Sequence, residues 1–201
     1  MNISRQLLCV AIAVLVFSCE SQPEGRILGD NERDLVDVKG AGAATFDRLI
    51  DDSVAKLLEP YKGEFADLKV RTLAFIDLEN RTKEELADWR DLLIDKIEIS
   101  VNKRRAFKAI SIKVITTVLK EMGNPPVEQL VLPKKRREFA KVLERNTSPV
   151  QYLLFGRLTR GGTRGAGSRQ ANYLLTLELI NIETGESNTV GTEVRKEFRG
   201  Q

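Results

Sequence analysis

The fold is decided by the stretch Val70-Arg-Thr-Leu-Ala-Phe-Ile-Asp77, which continues as Leu78-Glu-Asn-Arg-Thr82. From Val70 to Ile76 it is rich in β-branched and aromatic residues and lacks the polar alternation of a half-solvated strand. Such a pattern is typical of a strand covered on both faces. Two carboxylates and turn-forming residues follow, so we expect the strand to end near Asp77 and a helix to begin. A central strand that feeds a helix predicts an α/β layer fold.

Periodicity predicts the elements around this strand. Helices are expected from Thr45 until Pro60, from about Thr82 to Val101, from Ile112 to Met122 and from Lys134 to Glu144, with a short strand from Ala106 to Ser111. In the second helix we expect Leu86, Trp89, Leu93 and Ile97 on the buried side.

After Pro149 the apolar residues alternate with polar ones, a repeat of two residues instead of the helical repeat. Residues 150–158, 171–182 and 187–198 read as three strands of an antiparallel meander, and Gly185 takes the tight position of the turn 183–186. The sequence therefore predicts one α/β, or α+β, domain over residues 45–201. We expect a single mixed sheet of about four to five strands with helices packed on it.

The first 18 residues have the form of a secretory signal, with Arg5 before an apolar run from Leu7 to Phe17 that is too short for a stable membrane span. The segment Val16-Phe17-Ser18-Cys19 is similar to the lipobox of bacterial lipoproteins, which predicts lipidation of Cys19. The alternatives are an ordinary signal peptide or a retained anchor. Acyl chains on Cys19 would hold the protein at a membrane. Glu20 in place of Asp resembles the pattern of lipoproteins that two-membrane bacteria sort to the outer membrane. Residues 19–44 are polar and glycine-containing, which predicts a flexible tether.

Composition excludes several kinds of chemistry. The chain contains no histidine, so histidine-based triads and zinc sites are excluded. Its two cysteines, Cys9 and Cys19, lie before the domain, so the domain holds no internal disulfide. Residues 20–100 contain 12 Lys and Arg against 20 Asp and Glu, whereas residues 101–201 contain 19 against 9. These opposite charges either cancel in the fold or form an acidic and a basic face.

Asp77 and Glu79 are the only candidates for catalysis. They could act as an acid and base pair, or bind Mg²⁺ together with Asn80, at the end of a central strand where α/β folds place ligands. The interpretation we favour is structural: Asp77 ends the strand while Asn80 and Thr82 order the turn. We therefore expect no catalytic residue, metal or cofactor.

The segment Arg160-Gly-Gly-Thr-Arg-Gly-Ala-Gly-Ser-Arg169 is glycine-rich and basic but lacks the ending of a phosphate-binding P-loop. We expect a long, mobile hairpin loop. Its positive groups are candidates for contact with an acidic partner, phosphates or glycan-peptide carboxylates: Arg157, Arg160, Arg164 and Arg169. An export signal argues against nucleic acid as the partner of the clusters Lys103–Arg105 and Lys134–Arg137. We expect them to be solvated helix ends that balance the acidic half, and the alternative is a membrane or partner surface.

The order of elements resembles the LpoB-type lipoproteins, activators of penicillin-binding proteins that share a fold with the N-terminal domain of TolB. The resemblance covers about Thr45 to Arg199. Its points of contact are the lipobox at Cys19, the strand and turn Phe75–Thr82, the strand Tyr152–Gly156 and the strand and turn Tyr173–Gly185.

The resemblance implies a non-catalytic adaptor of a peptidoglycan synthase, anchored in the outer membrane and facing the periplasm, with no small-molecule substrate. The second hypothesis is an envelope assembly or secretion-complex lipoprotein of the curli type. An enzyme that uses Asp77 and Glu79 is the third.

Overall fold

The computed structural model describes residues 43–61, 70–84, 87–145, 147, 149–165 and 168–199, all within a compact unit that spans Asp34–Gln201. The predictions for the signal, Cys19 and the tether up to residue 42 lie outside the described residues. The helices are α1 (Ala43–Leu58), α2 (Ala87–Lys103), α3 (Ile112–Glu121) and α4 (Pro133–Glu144), and short 3-10 helices cover Glu59–Tyr61 and Val127–Val131. The strands are β1 (Arg71–Arg81), β2 (Phe107–Ile110), β3 (Tyr152–Gly165), β4 (Ser168–Asn181) and β5 (Ser187–Arg199).

The five strands form one mixed sheet in the order β2-β1-β3-β4-β5. The central strand β1 is parallel to both β2 and β3, whereas β3, β4 and β5 run antiparallel to their neighbours. The predicted mixed sheet and the C-terminal meander are therefore confirmed.

Both faces of β1 are covered, as its uninterrupted apolar run predicts. Leu73 and Phe75 belong to a core that includes α1 and α2, and Ala74 and Ile76 belong to a second core that includes α3 and α4. Because successive side chains of a strand point to opposite faces, the two helix pairs lie on opposite sides of the sheet. The domain is thus a sheet between two helical layers.

Local signals explain where α3 and α4 begin. The hydroxyl of Ser111 accepts a hydrogen bond from the Lys113 N–H, and the Glu98 carboxylate accepts one of 2.8 Å from the Ile112 N–H, which satisfies two free donors at the start of α3. Pro133 occupies the first position of α4, where its missing N–H costs nothing.

Several local predictions are wrong, and the first concerns the end of β1. Strand β1 does not end at Asp77 but continues to Arg81, past an irregularity in its pairing with β3 between Phe75 and Asp77. That irregularity adds a residue to β1, as a β-bulge does, and pairing with β3 then continues beyond the carboxylates.

The second helix begins at Ala87 rather than Thr82, and Trp89 is 38% exposed although we expected it on the buried side. Its ring lies at the edge of the core, 5.8 Å from the ring of Phe46 on α1. The expectation for Leu86 lies outside the described residues.

The glycine-rich segment is not a long loop. Strand β3 extends to Gly165 and β4 begins at Ser168, and the two strands pair without interruption from Tyr152 and Asn181 to Gly165 and Ser168. Continuous pairing with β4 keeps this segment in a strand although its glycines have no side chains to pack against neighbouring residues. Among the described residues, no helix combines the length and apolar character needed to cross a membrane.

Candidate functional site

The turn after β1 is organised by Asn80. Its Oδ1 accepts hydrogen bonds from the Thr82 N–H (2.9 Å) and the Thr82 hydroxyl (2.7 Å), and its Nδ2 donates to the Glu84 carbonyl (2.8 Å). Lys83 lies between Thr82 and Glu84 and has a φ of 64°, a left-handed conformation that is uncommon outside glycine. The side chain of Asn80 therefore holds Lys83 in a conformation that the backbone alone disfavours.

Glu84 connects this turn to the β3–β4 hairpin. Its Oε1 lies 2.5 Å from Nη1 of Arg160 and accepts a 2.8 Å hydrogen bond from the Tyr173 hydroxyl. The Arg160 guanidinium also lies over the Tyr173 ring, 5.5 Å from its centroid. Arg160 and Glu84 are largely shielded from solvent, so this contact fixes the turn against the two strands.

Asp77 and Glu79 are each engaged by arginine. Asp77 Oδ1 lies 2.5 Å from Nη2 of Arg90 on α2, while the two oxygens of Glu79 lie 2.7 Å from Nε of Arg157 and 2.6 Å from Nε of Arg81. Hydrogen bonds from Arg157 and then Arg81 hold the pKa of Glu79 below its ordinary value of 4.5. The two carboxylates therefore bind different cations and do not share a proton or a common site.

An open cleft of about 290 Å³ lies between the turn after β1 and the far part of the β3–β4 hairpin. Three of its lining residues are cationic and none is acidic, so the cleft has a positive lining. The lining consists of Arg81, Thr82, Lys83, Arg160, Gly161, Gly162, Thr163 and Gln170. No local sequence pattern predicts this cleft, because its lining comes from segments about 80 residues apart. The glycine pair 161–162 is the one local signal, since glycine within a strand often marks a close approach to the backbone.

The four candidate arginines do not form one cluster in the described part of the chain. Arg157 is exposed and bound to Glu79, whereas Arg160 lines the cleft and is bound to Glu84. Arg164 and Arg169 are register partners near the end of the hairpin, and their side chains lie outside what the structure describes.

The basic run at the start of α4 contains one buried member, so the expectation of a fully solvated cluster is wrong. Arg136 is 3% exposed and donates hydrogen bonds to the carbonyls of Ile182 (3.0 Å) and Val131 (2.9 Å). Gly185 in the β4–β5 turn has a φ of 80°, and a Cβ there would lie 2.7 Å from Nη2 of Arg136. Arg136 therefore fastens the turn to α4, and the turn requires glycine both for conformation and for space.

The two helical layers differ in their numbers of acidic and basic residues. Helices α1 and α2 contain seven acidic and five basic residues, whereas α3 and α4 contain three acidic and seven basic residues. Because these pairs cover opposite faces of the sheet, one helical layer is net acidic and the other net basic. The fold combines the two arrangements that the sequence left open, because the ion pairs Glu79–Arg157 and Glu84–Arg160 also join the acidic half of the chain to the basic half.

A family described as peptidoglycan-synthase activator LpoB matches residues 45–188 of this chain. The chain belongs to the LpoB family. The family is regulatory rather than catalytic, and its members act on peptidoglycan synthases. The matched range begins in α1 and ends in β5, so it includes the turn after β1 and the cleft.

A solved LpoB structure shares the fold. The LpoB C-terminal domain from Salmonella enterica has a TM-score of 0.51 at 17% sequence identity, covering 74% of this chain and 97% of that chain. The LpoB C-terminal domain from Escherichia coli has a TM-score of 0.48 at 18% identity, with the same 74% and 97% coverage. No curated protein sequence matches the chain.

Proposed function

We propose that this protein is an outer-membrane lipoprotein that binds a penicillin-binding protein in the periplasm and raises its peptidoglycan-synthase activity without catalysing a reaction itself. The observation that carries the proposal is the LpoB family match over residues 45–188. The lipobox ending at Cys19 supports anchoring by acyl chains, and Glu20 supports sorting to the outer membrane.

The state of the carboxylates supports a role that depends on binding. A carboxyl group that acts as a general acid at neutral pH needs a pKa raised towards 7. Glu79 has the opposite shift, because hydrogen bonds from Arg157 and Arg81 lower its pKa. Asp77 is bound by Arg90, so neither carboxylate has the pairing expected of an acid and base that share a substrate. Their arginine contacts instead hold β1 to α2 and to β3.

The partner surface in this proposal includes the side of the sheet that carries Arg157 and the cleft that contains Arg160, with Arg164 and Arg169 near the tip of the same hairpin. Arginine is favoured at interfaces because its planar guanidinium binds carboxylates in two places at once. In a chain whose partner is another protein, these groups select an acidic surface.

The proposal is tested by affinity capture from detergent-solubilised envelopes with the full-length, tagged protein. Recovery of a penicillin-binding protein in proportion to the bait is the expected result. Recovery of a secretion complex without a penicillin-binding protein would replace the proposal with the secretion hypothesis.

A matched bait with Cys19→Ala separates anchoring from binding. It is expected to leave the membrane fraction yet to bind the same partner once the envelope has been solubilised, because the lipid and the domain contribute separately.

A further inference from the structure

Strand β3 is longer than the part of it that β1 covers. The β1–β3 pairing ends at Arg81 and Thr159, whereas β3 continues to Gly165. Among the described strands, none pairs with residues 160–165 on the side that β1 has left. The turn held by Asn80 leads the chain away from β1 there, and the positive cleft occupies the space beside it.

The backbone of this segment presents hydrogen-bonding groups to the cleft side. The Ile182 N–H bonds to the Gln151 carbonyl, and the β3–β4 register then continues without a shift. Because N–H and C=O groups alternate in direction along a strand, Gly161 and Thr163 direct theirs to β4. Gly162 directs both of its groups to the side that β1 has left, and Arg160 directs its carbonyl there, because the register pair Arg81–Thr159 uses the Arg160 N–H as the last donor of the β1–β3 ladder.

Gly161 lines the cleft although neither packing nor conformation requires glycine there. A Cβ at position 161 would meet nothing within 4 Å, whereas a Cβ at Gly162 would lie 2.7 Å from the Gln170 carbonyl oxygen. Glycine inside a strand weakens the strand unless something approaches the backbone closely. Glycine at position 161 therefore lowers the stability of the strand and leaves that part of the cleft lining without a side chain.

The charges of the cleft restrict what can occupy it. Arg81, Lys83 and Arg160 line the cleft, but Arg81 is paired with Glu79 and Arg160 with Glu84, so among the described residues the exposed Lys83 is the lining cation that is left for an occupant. An occupant that satisfies strand N–H and C=O groups and also pairs with Lys83 is a peptide segment with a carboxylate. Extended peptides bind free strand edges in this way, through their own main chain.

We propose that the cleft receives an extended, carboxylate-bearing segment of the protein partner, which lies along the free side of β3 beside Gly162. This inference rests on the proposed function, since the partner is the synthase. The outer edge strand β5 fits such a segment less well, because Glu193, Arg195 and Glu197 place charges of both signs along it.

Two substitutions in the full-length lipoprotein separate binding from folding. Lys83→Gly removes a cation and relieves a left-handed backbone, so the domain should be at least as stable as the wild type. Its dissociation constant for the purified synthase should rise by about fivefold, the effect of one lost ion pair in a partly desolvated site. Gly161→Val adds a strand-forming side chain in open space at the cleft lining, so the domain should fold as the wild type does, and the reduced room beside Gly162 should raise its dissociation constant by about tenfold or more.

Matched controls are available outside the cleft. Arg105 is also a cation with positive φ, at 55°, so Arg105→Gly repeats the chemistry of Lys83→Gly away from the cleft. Thr189 is an exposed residue of β5, so Thr189→Val repeats the addition of valine to a strand surface. Both controls should bind the synthase as tightly as the wild-type protein does.

Amide hydrogen exchange of the wild-type protein provides a second measurement that needs no variant. Saturation with the synthase should slow exchange of the Gly162 amide and leave the Gly161 amide, which is directed to β4, unchanged.

The outcomes distinguish the two proposals. If the wild-type protein binds no synthase, the proposed function fails and this inference fails with it. If the wild type binds while both cleft variants bind as tightly as their controls and the Gly162 amide exchanges at an unchanged rate, the cleft is not the docking site and only the inference is overturned.

Discussion

Replacing Arg136 with methionine should destabilise the domain, although Arg136 lies in a run of four basic residues. Its guanidinium is 3% exposed and donates to the carbonyls of Ile182 and Val131, which belong to the end of β4 and the 3-10 helix before α4. Burial lowers the pKa of Arg136, which shows that the fold disfavours an isolated charge there. The hydrogen bonds must offset that cost.

The size of the effect follows from these contacts. A hydrogen bond from a charged donor contributes about 1.5 to 3 kcal/mol, and Arg136 makes two such bonds that methionine cannot make. Methionine fills much of the same volume, and the cost of burying the charge disappears, which reduces the loss. We expect a net destabilisation of about 2 to 4 kcal/mol, out of a total stability of roughly 5 to 15 kcal/mol.

Urea unfolding followed by circular dichroism measures this loss, and the melting temperature should fall by roughly 5 to 15 °C. The matched control is Arg137→Met at the exposed neighbour, which should change the free energy of unfolding by less than about 0.5 kcal/mol. If Arg136→Met and Arg137→Met agree within that margin, the structural role assigned to the buried guanidinium is refuted.

Three further changes test other parts of the account. Asn80→Ala removes bonds to the Thr82 N–H and hydroxyl, so thermal unfolding should show a loss of about 1 to 2 kcal/mol, and an unchanged melting temperature would contradict the role of Asn80. Burial raises the pKa of Glu98 above 4.5, so the folded state favours its protonated form, and stability should fall as pH rises from 4.5 through the raised pKa. Glu98→Gln retains an acceptor for the Ile112 N–H, so urea titrations across this pH range should lose that fall; an identical pH profile would contradict the assignment. Cys19→Ala should abolish lipidation and the signal processing that depends on it, so the protein should be lost from the outer-membrane fraction; normal processing with unchanged sedimentation would exclude lipidation at this residue.

Hydrophobic pattern predicted most of the architecture because the core depends on it. The apolar residues of α1, such as Leu49, Val54 and Leu57, recur at helical spacing and are buried. The period-two segments after Pro149 became β3, β4 and β5. Such patterns are local, so they can be recognised in the sequence without information on which elements contact each other in the fold.

The ends of elements could not be predicted in the same way, since they depend on distant partners. Asp77 and Glu79 looked like the end of a strand, yet Arg90, 13 residues away, and Arg157, 78 residues away, neutralise them within β1. No local pattern carries that information. The same limit applies to Trp89, whose contact with Phe46 depends on how α1 and α2 pack.

Glycine content misled the interpretation of residues 160–169 for a related reason. Glycine is a poor strand former in isolation, but here each residue from Tyr152 to Gly165 has a register partner on β4. The cleft beside Gly161 then arises because β1 is shorter than this hairpin, which is a property of the assembled sheet rather than of any segment.

The central claim is that this protein acts by contact, raising the activity of a synthase that performs the chemistry. The most direct measurement is the rate of glycan polymerisation and peptide cross-linking by a purified bifunctional penicillin-binding protein from the same cells, with and without the full-length lipoprotein. The account predicts a faster, saturable rate when both are present and no product from the lipoprotein alone. An unchanged synthase rate at saturating lipoprotein, or product formed by the lipoprotein alone, would contradict it.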